Sequence, residues 1–198
     1  MPTIPTPTLM TDPGYLLGAI LGTTLPTNSV TGSKFTDAWP AGWVNLGATE
    51  EGTTFSGEIN IEAVTVAEFF EPIQYSTTER NISIAWAFAD YTLHNIKRAW
   101  NGGMGVITPT SGTGATALYD FEPPNPDQEL RIMINWESLD NTLRLVCRQC
   151  INGGTIETAH AKAPAKALIP VTFNLEKPSA AKVFKYSAAG ATRAGTGL

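Results

Sequence analysis

Two cysteines three residues apart, Cys147 and Cys150, are the side chains whose spacing most invites chemistry. A C-x-x-C pair serves thiol exchange when it opens a helix, where the dipole favours the thiolate, and binds zinc when further ligands complete the set. Neither frame is present. There is no other cysteine, only His94 and His160 remain as soft ligands, and the pair lies in the alternating run Leu143-Arg144-Leu145-Val146-Cys147-Arg148-Gln149-Cys150. That run reads as a strand, on which residues three apart point to opposite faces, so two ordinary strand cysteines are expected. Glu68 and Glu71 would suit glycoside hydrolysis only if they converged on one bond, and nothing in their loop-like surroundings brings them together. Ser, His and Asp occur without a G-x-S-x-G elbow, and Gly112-Thr113-Gly114 lacks the lysine and the strand–helix frame of a phosphate loop. His94, beside Leu93 on a helical stretch, reads as a structural histidine. Arg131, Arg144 and Arg148 fall on one face of a predicted hairpin, a row that pairs with acids in the same subunit or a neighbour. No catalytic residue, metal ligand or cofactor site is predicted.

The elements that position these residues centre on residues 58–103. In Glu58-Ile59-Asn60-Ile61-Glu62-Ala63, the isoleucines face one way and Glu58, Asn60 and Glu62 the other, the period-2 mark of a half-wet strand. A second alternation follows in residues 80–88, with Ile82, Ile84, Trp86 and Phe88 on one side. The period then lengthens: Leu93, Ile96 and Trp100 predict a short amphipathic helix over about 91–100, with Asp90 as its cap, Lys97 and Arg98 at its negative end, and Asn101-Gly102-Gly103 as its stop. The predicted core comprises Ile59, Ile61, Ile82, Ile84, Trp86, Leu93, Ile96, Trp100, Ile132, Ile134 and Leu145.

Composition agrees with a turn-rich β protein. The 198 residues suit one domain with a sizeable core, and 16% charged residues with 18 glycines and 14 prolines disfavour a helical bundle. The net charge of -5 lacks the basic stripe of a duplex-DNA reader. No apolar run is long enough for a membrane helix, and the opening residues lack the basic region of a secretory signal.

In chain order, residues 1–22 read as an arm, Pro/Thr-rich at first and then apolar from Tyr15 to Leu21. That apolar patch is either a first core strand or a segment docking on another subunit. Residues 23–178 form the predicted domain. Within it lie a short strand near Val44, a polar turn at 49–53, and a connection of 68–79 in which Phe69 and Phe70 need a cover and Pro72 excludes a central strand. A strand at 117–121 follows, then a clear hairpin turning at 138–141. Asn152-Gly153-Gly154 is a turn leading into 155–158, and a last core strand covers 168–175. Residues 179–198 read as a mobile tail. The predicted class is mostly β (α+β), a β-sandwich or barrel of two packed sheets with one flanking helix.

The order of a Pro/Thr-rich arm, an acidic–apolar strand, a long connection, an alternating strand and then Tyr91-Thr92-Leu93-His94-Asn95-Ile96-Lys97-Arg98-Ala99-Trp100 closing on Gly102-Gly103 resembles the major tail tube subunit of long-tailed (siphovirus-type) bacteriophages. The resemblance is closest over residues 42–103 and looser beyond. It implies a structural virion protein without enzymatic activity, cofactor or membrane anchor, assembled in the host cytoplasm into the tail. Six copies would form a ring, and the rings would stack around a tape-measure protein and later conduct genomic DNA, which is not specifically bound. Tail terminator and distal tail proteins would be its other partners. In such a ring Glu58, Asn60 and Glu62 would face the lumen, while Tyr15, Leu16, Leu17, Phe69, Phe70, Pro72 and Tyr75 would make contacts between subunits. The tube protein of a contractile secretion or tail-like system, a small-ligand-binding β-barrel and a small enzyme are the alternative readings.

Overall fold

The computed structural model describes residues 13–67, 70–158 and 167–190. Its elements in chain order are β1 (Gly14–Ile20), β2 (Val30–Thr31), β3 (Lys34–Phe35), β4 (Val44–Asn45), β5 (Thr49–Val64), β6 (Gln74–Phe88), α1 (Leu93–Ala99), β7 (Ile132–Ser138), β8 (Leu143–Asn152), β9 (Ile169–Leu175) and β10 (Phe184–Ala188). Eight strands form one antiparallel sheet in the order β4-β1-β7-β8-β9-β6-β5, with β10 paired to β8, while β2 and β3 make a separate ribbon. The fold is therefore mostly β, with a large antiparallel sheet and one α-helix.

The sheet divides at β8, whose second edge is shared. Residues 143–147 pair with β10, and residues 150–152 pair with β9. The strands beyond the division bring Ile84, Trp86, Phe88 and Phe173 against Leu16, Ile134 and Leu145 in a single core. Phe55 of β5 meets Phe184 of β10 edge-on at 5.2 Å between ring centroids. Burying each such large side chain contributes about 1.5–3 kcal/mol.

The helix docks on this core through Ala99 and Ile96. Its cap is Thr92, whose hydroxyl accepts from the Asn95 amide, and not the predicted Asp90. The Asp90 carboxylate instead accepts from the Ala48 amide at 3.2 Å. The helix stops as predicted: Asn101 turns left-handed at φ 54°, and the Gly102 amide donates back to the Lys97 carbonyl at 2.8 Å. Asn152 clasps that terminus. Its side chain donates to the Ala99 carbonyl at 2.7 Å and accepts from the amides of Gly154 and Thr172, while its backbone exchanges two bonds with the Asn101 side chain.

Several expectations need correction. Residues 14–20 are no arm: β1 pairs along its full length with β7. Residues 184–188 are no tail: they are β10, and Phe184 and Tyr186 lie opposite Cys147 and Leu145. Residues 49–53 begin strand β5 in place of a turn. Neither 117–121 nor 155–158 forms a strand, because the first has only an isolated bridge from Leu118 to Ser111. Trp100 is 46% exposed, since the helix ends one residue before it and turns it out of the core. Arm residues 1–12 lie outside the described residues, as do Glu68, Phe69, His160 and residues 191–198.

Candidate functional site

A strand of alternating apolar and acidic residues needs a partner for each face, and β5 with β6 meets that need for only half its length. The hairpin closes across thirteen cross-strand pairs, but β9 covers β6 only from Ser83 to Phe88. Beyond Gly57 and Ile82 the two strands run on as a two-stranded ribbon, and nearly every residue of it is exposed. On one face Ile59 stands opposite Arg80, Ile61 opposite Thr77, and Ala63 opposite Tyr75. This face continues the side that carries Ile82 and Ile84 in the core. Ile59 is nevertheless 56% exposed and Ile61 60%, so the predicted burial of both within one chain is overturned. The core ends before it reaches them.

The opposite face bears Glu58, Asn60 and Glu62, with Glu79 across from Asn60 and hydrogen-bonded to its side-chain amide at 3.3 Å. The pleat thus separates acids from isoleucines as the alternation predicts. Arg80 is the ribbon's only cation, and no hydrogen bond or ion pair holds it among the described residues. At the ribbon's far end Phe70 is fully exposed, covered by none of the described residues, and Pro72 and Tyr75 are exposed as well. Of the other predicted contact residues, Tyr15 is exposed and Leu17 half-buried, whereas Leu16 is consumed by the core and presents nothing outward.

The far end of the sheet holds a buried ionic cluster on the face of β7 and β8 away from the core. Hairpin register puts Glu137 directly opposite Arg144. Arg144 is 2% exposed, with Nε donating to Glu137 at 2.9 Å and Nη1 to Asp37 at 3.1 Å. Its remaining donors reach the Asn28 side chain and the Asp37 carbonyl, and the guanidinium lies 4.5 Å from the Phe35 ring centre and 5.0 Å from that of Trp39. Trp39 also donates to Glu137. One arginine therefore pins residues 28–39 over the sheet. Arg131 plays a lesser part on the same face, bonding Glu176 with two nitrogens at 3.1 and 3.3 Å in a half-exposed pair.

Burial acts to raise the Asp37 carboxyl pKa, but the Asn28 amide and Arg144 more than offset it and hold the carboxyl below its usual range. The Arg131 bond likewise lowers Glu176. A carboxyl with a lower pKa in the folded state stabilises fully above its unfolded value near 4, and that contribution is lost as pH falls through the folded value. Stability should accordingly hold near neutrality and decline below about pH 4. Asp37→Asn should flatten part of that acid limb in urea midpoints taken across the range. An acid limb as steep as the wild type's would show that Asp37 does not contribute to it.

The cysteines depart from their predicted geometry. Ile132 and Ile134, two apart on β7, pair with Cys150 and Cys147, three apart on β8. This bulge spends the extra residue and turns both thiols to the core side, where both are fully buried. Burial and the neighbouring Cys147 push the Cys150 thiol well above its ordinary value, the opposite of an activated nucleophile. Among the described residues no three His, Cys, Asp or Glu side chains gather as metal ligands, and no helix is long and apolar enough to cross a membrane.

Asn28, Asp37 and Trp39 escaped the sequence reading because their segment has no periodicity. The Glu137–Arg144 pairing was legible in principle, since a turn at 138–141 sets those two positions opposite each other. Set against models of protein families and against curated proteins, the chain matches none.

Proposed function

We propose that this chain is a self-assembling structural subunit, whose copies join edge to edge into rings that stack as a tube of the phage-tail type. The observation that carries this reading is the projecting ribbon. A two-stranded hairpin alone is marginal in water, and one that exposes Ile59, Ile61, Tyr75 and Phe70 leaves apolar area that a lone chain gains nothing by showing. The long outer edge of β5, unpaired among the described residues, adds a row of open backbone groups. A second copy satisfies both needs.

On this reading the two parts of the divided sheet pack as a sandwich with the helix outside, and the ribbon joins the wall of a channel. Its acidic face, with Glu58, Asn60 and Glu62, then lines the lumen around a tape-measure protein. A lumen of carboxylates repels phosphate and lets DNA pass without binding it. The six-fold ring and the tape-measure, tail terminator and distal tail partners follow from the resemblance to major tail tube subunits.

Negative-stain microscopy of the concentrated full-length protein tests this. Rings and stacked tubes are expected, and they should vanish when residues 59–79 are replaced by a short turn that leaves the core strands paired. Intact protein that stays monomeric at high concentration would overturn the reading.

A further inference from the structure

If copies associate through the ribbon, its apolar face must land on a surface of the next copy. The described surface offers an apolar groove with a carboxylate at its rim, which matches the ribbon in apolarity and charge. Where β1 runs past its short partner β4, Ile20, Leu21, Met104 and Leu130 border a groove of about 390 Å³. Ile20 is 60% exposed although it lies on the core side of the sheet. The core is thus left open at this end, just as it is along the ribbon. Glycine keeps the groove open at Gly103, whose φ of 74° disfavours a side chain and where a Cβ would strike Leu130. Glu129 stands at its rim. Arg131, which also lines the groove, bonds Glu176 with two nitrogens and the Glu129 carbonyl with a third, and it feels the Glu129 charge. The Glu129 carboxylate itself accepts no hydrogen bond among the described residues, and Glu176 already balances Arg131.

We infer that this groove receives the apolar face of the ribbon from a second copy of the chain, with Arg80 of one copy set against Glu129 of the next. The inference rests on the self-assembly reading and names the surfaces that carry it. The complementarity is twofold. Ile59 and Ile61 match the apolar walls, and the ribbon's single cation matches the carboxylate left in excess at the rim, where Glu129 and Glu176 flank the one cation Arg131. The two surfaces also belong to opposite ends of the strand order, β5–β6 and β1. A contact between unlike ends is head-to-tail, so each copy donates one ribbon and accepts another. Such a contact propagates until it closes into a ring or winds into a helix. A lone exposed ion pair adds little, but one enclosed by apolar contacts penalises a like-charge juxtaposition heavily.

The test is a charge exchange on the full chain. Arg80→Glu and Glu129→Arg, each alone, should raise the protein concentration needed for assembly at least about tenfold while leaving the melting temperature unchanged. Mixing the two single variants should restore assembly, because each ribbon then finds an opposite charge in the other variant's groove. A second arm combines Ile59→Cys chains with Leu130→Cys chains under mild oxidation and expects a disulfide dimer. The native thiols are buried and do not compete. Rings that form in the wild type but ignore both charge reversals, or an equal mixture that stays unassembled, would overturn this contact and leave the tube reading intact. Absence of assembly in the wild type would overturn both.

Discussion

Arg144→Ala should destabilise the protein by about 3–5 kcal/mol, the range for removing one partner of a buried ion pair. The loss comes from what stays behind. Glu137 keeps its charge in a buried position and Asp37 in a partly buried one, the Asn28 and Asp37 carbonyl oxygens lose a donor, and Phe35 and Trp39 lose the flat cation beside them. Residues 28–39 should then detach and become cleavable by protease before global unfolding. Arg144→Lys should recover only part of the stability, since an ammonium cannot serve the forked set of acceptors. Replacing Arg144, Glu137 and Asp37 together by apolar residues should recover more, because no charge is then stranded. Urea denaturation decides it: a shift of Arg144→Ala worth under about 1 kcal/mol would mean the cluster is hydrated and not the keystone of this face.

Trp86→Ala should cost about 3–5 kcal/mol by the large-to-small range for aromatic cores. Trp86 is stacked on Phe173 at 5.1 Å with planes only 12° apart, and Phe88 meets it edge-on at 5.4 Å. It therefore joins β6 to β9 at the layer where the sheet turns over the core. The informative control is Ile61→Ala on the same hairpin. In the unassembled chain that change should fall within about 0.5 kcal/mol, as expected for an exposed site. Domains carry only about 5–15 kcal/mol of stability, so the two variants should separate cleanly in thermal melts. Equal melting temperatures would mean that the core does not end between Ile82 and Ile59.

That contrast marks where sequence reading reached its limit. Period-2 alternation determined which residues of β5 share a face from Thr53 to Val64, while β6 keeps it only down to Glu79, where Thr78 is the extra residue of a register shift. Alternation says nothing about what covers a face. Ile61 and Ile84 look alike locally, yet one is exposed and the other fully buried, because β9 stops short of the ribbon. The 138–141 turn and the helix stop were legible for a related reason: both are decided by residues within a few positions of one another. Asn141 and Asn101 take the left-handed backbone that their side chains tolerate.

Long-range pairing decided the rest. Phe184 and Tyr186 alternate in the sequence and favour strands, but five residues flanked by alanine and glycine do not make a strand without a partner edge. They become β10 because β8 leaves half an edge unpaired. The β8 bulge is equally invisible locally, since it exists only in the register against β7, and it alone moves Cys150 to the side of Cys147. Arg144 and Arg148 have similar neighbours in the chain. The first became the centre of a buried network only because residues 28–39, more than a hundred positions away, fold back over it. Local chemistry determined the faces of the long alternating strands and the turns made by neighbouring residues. Only the tertiary structure could decide which faces are closed, since closure depends on segments that no local pattern connects.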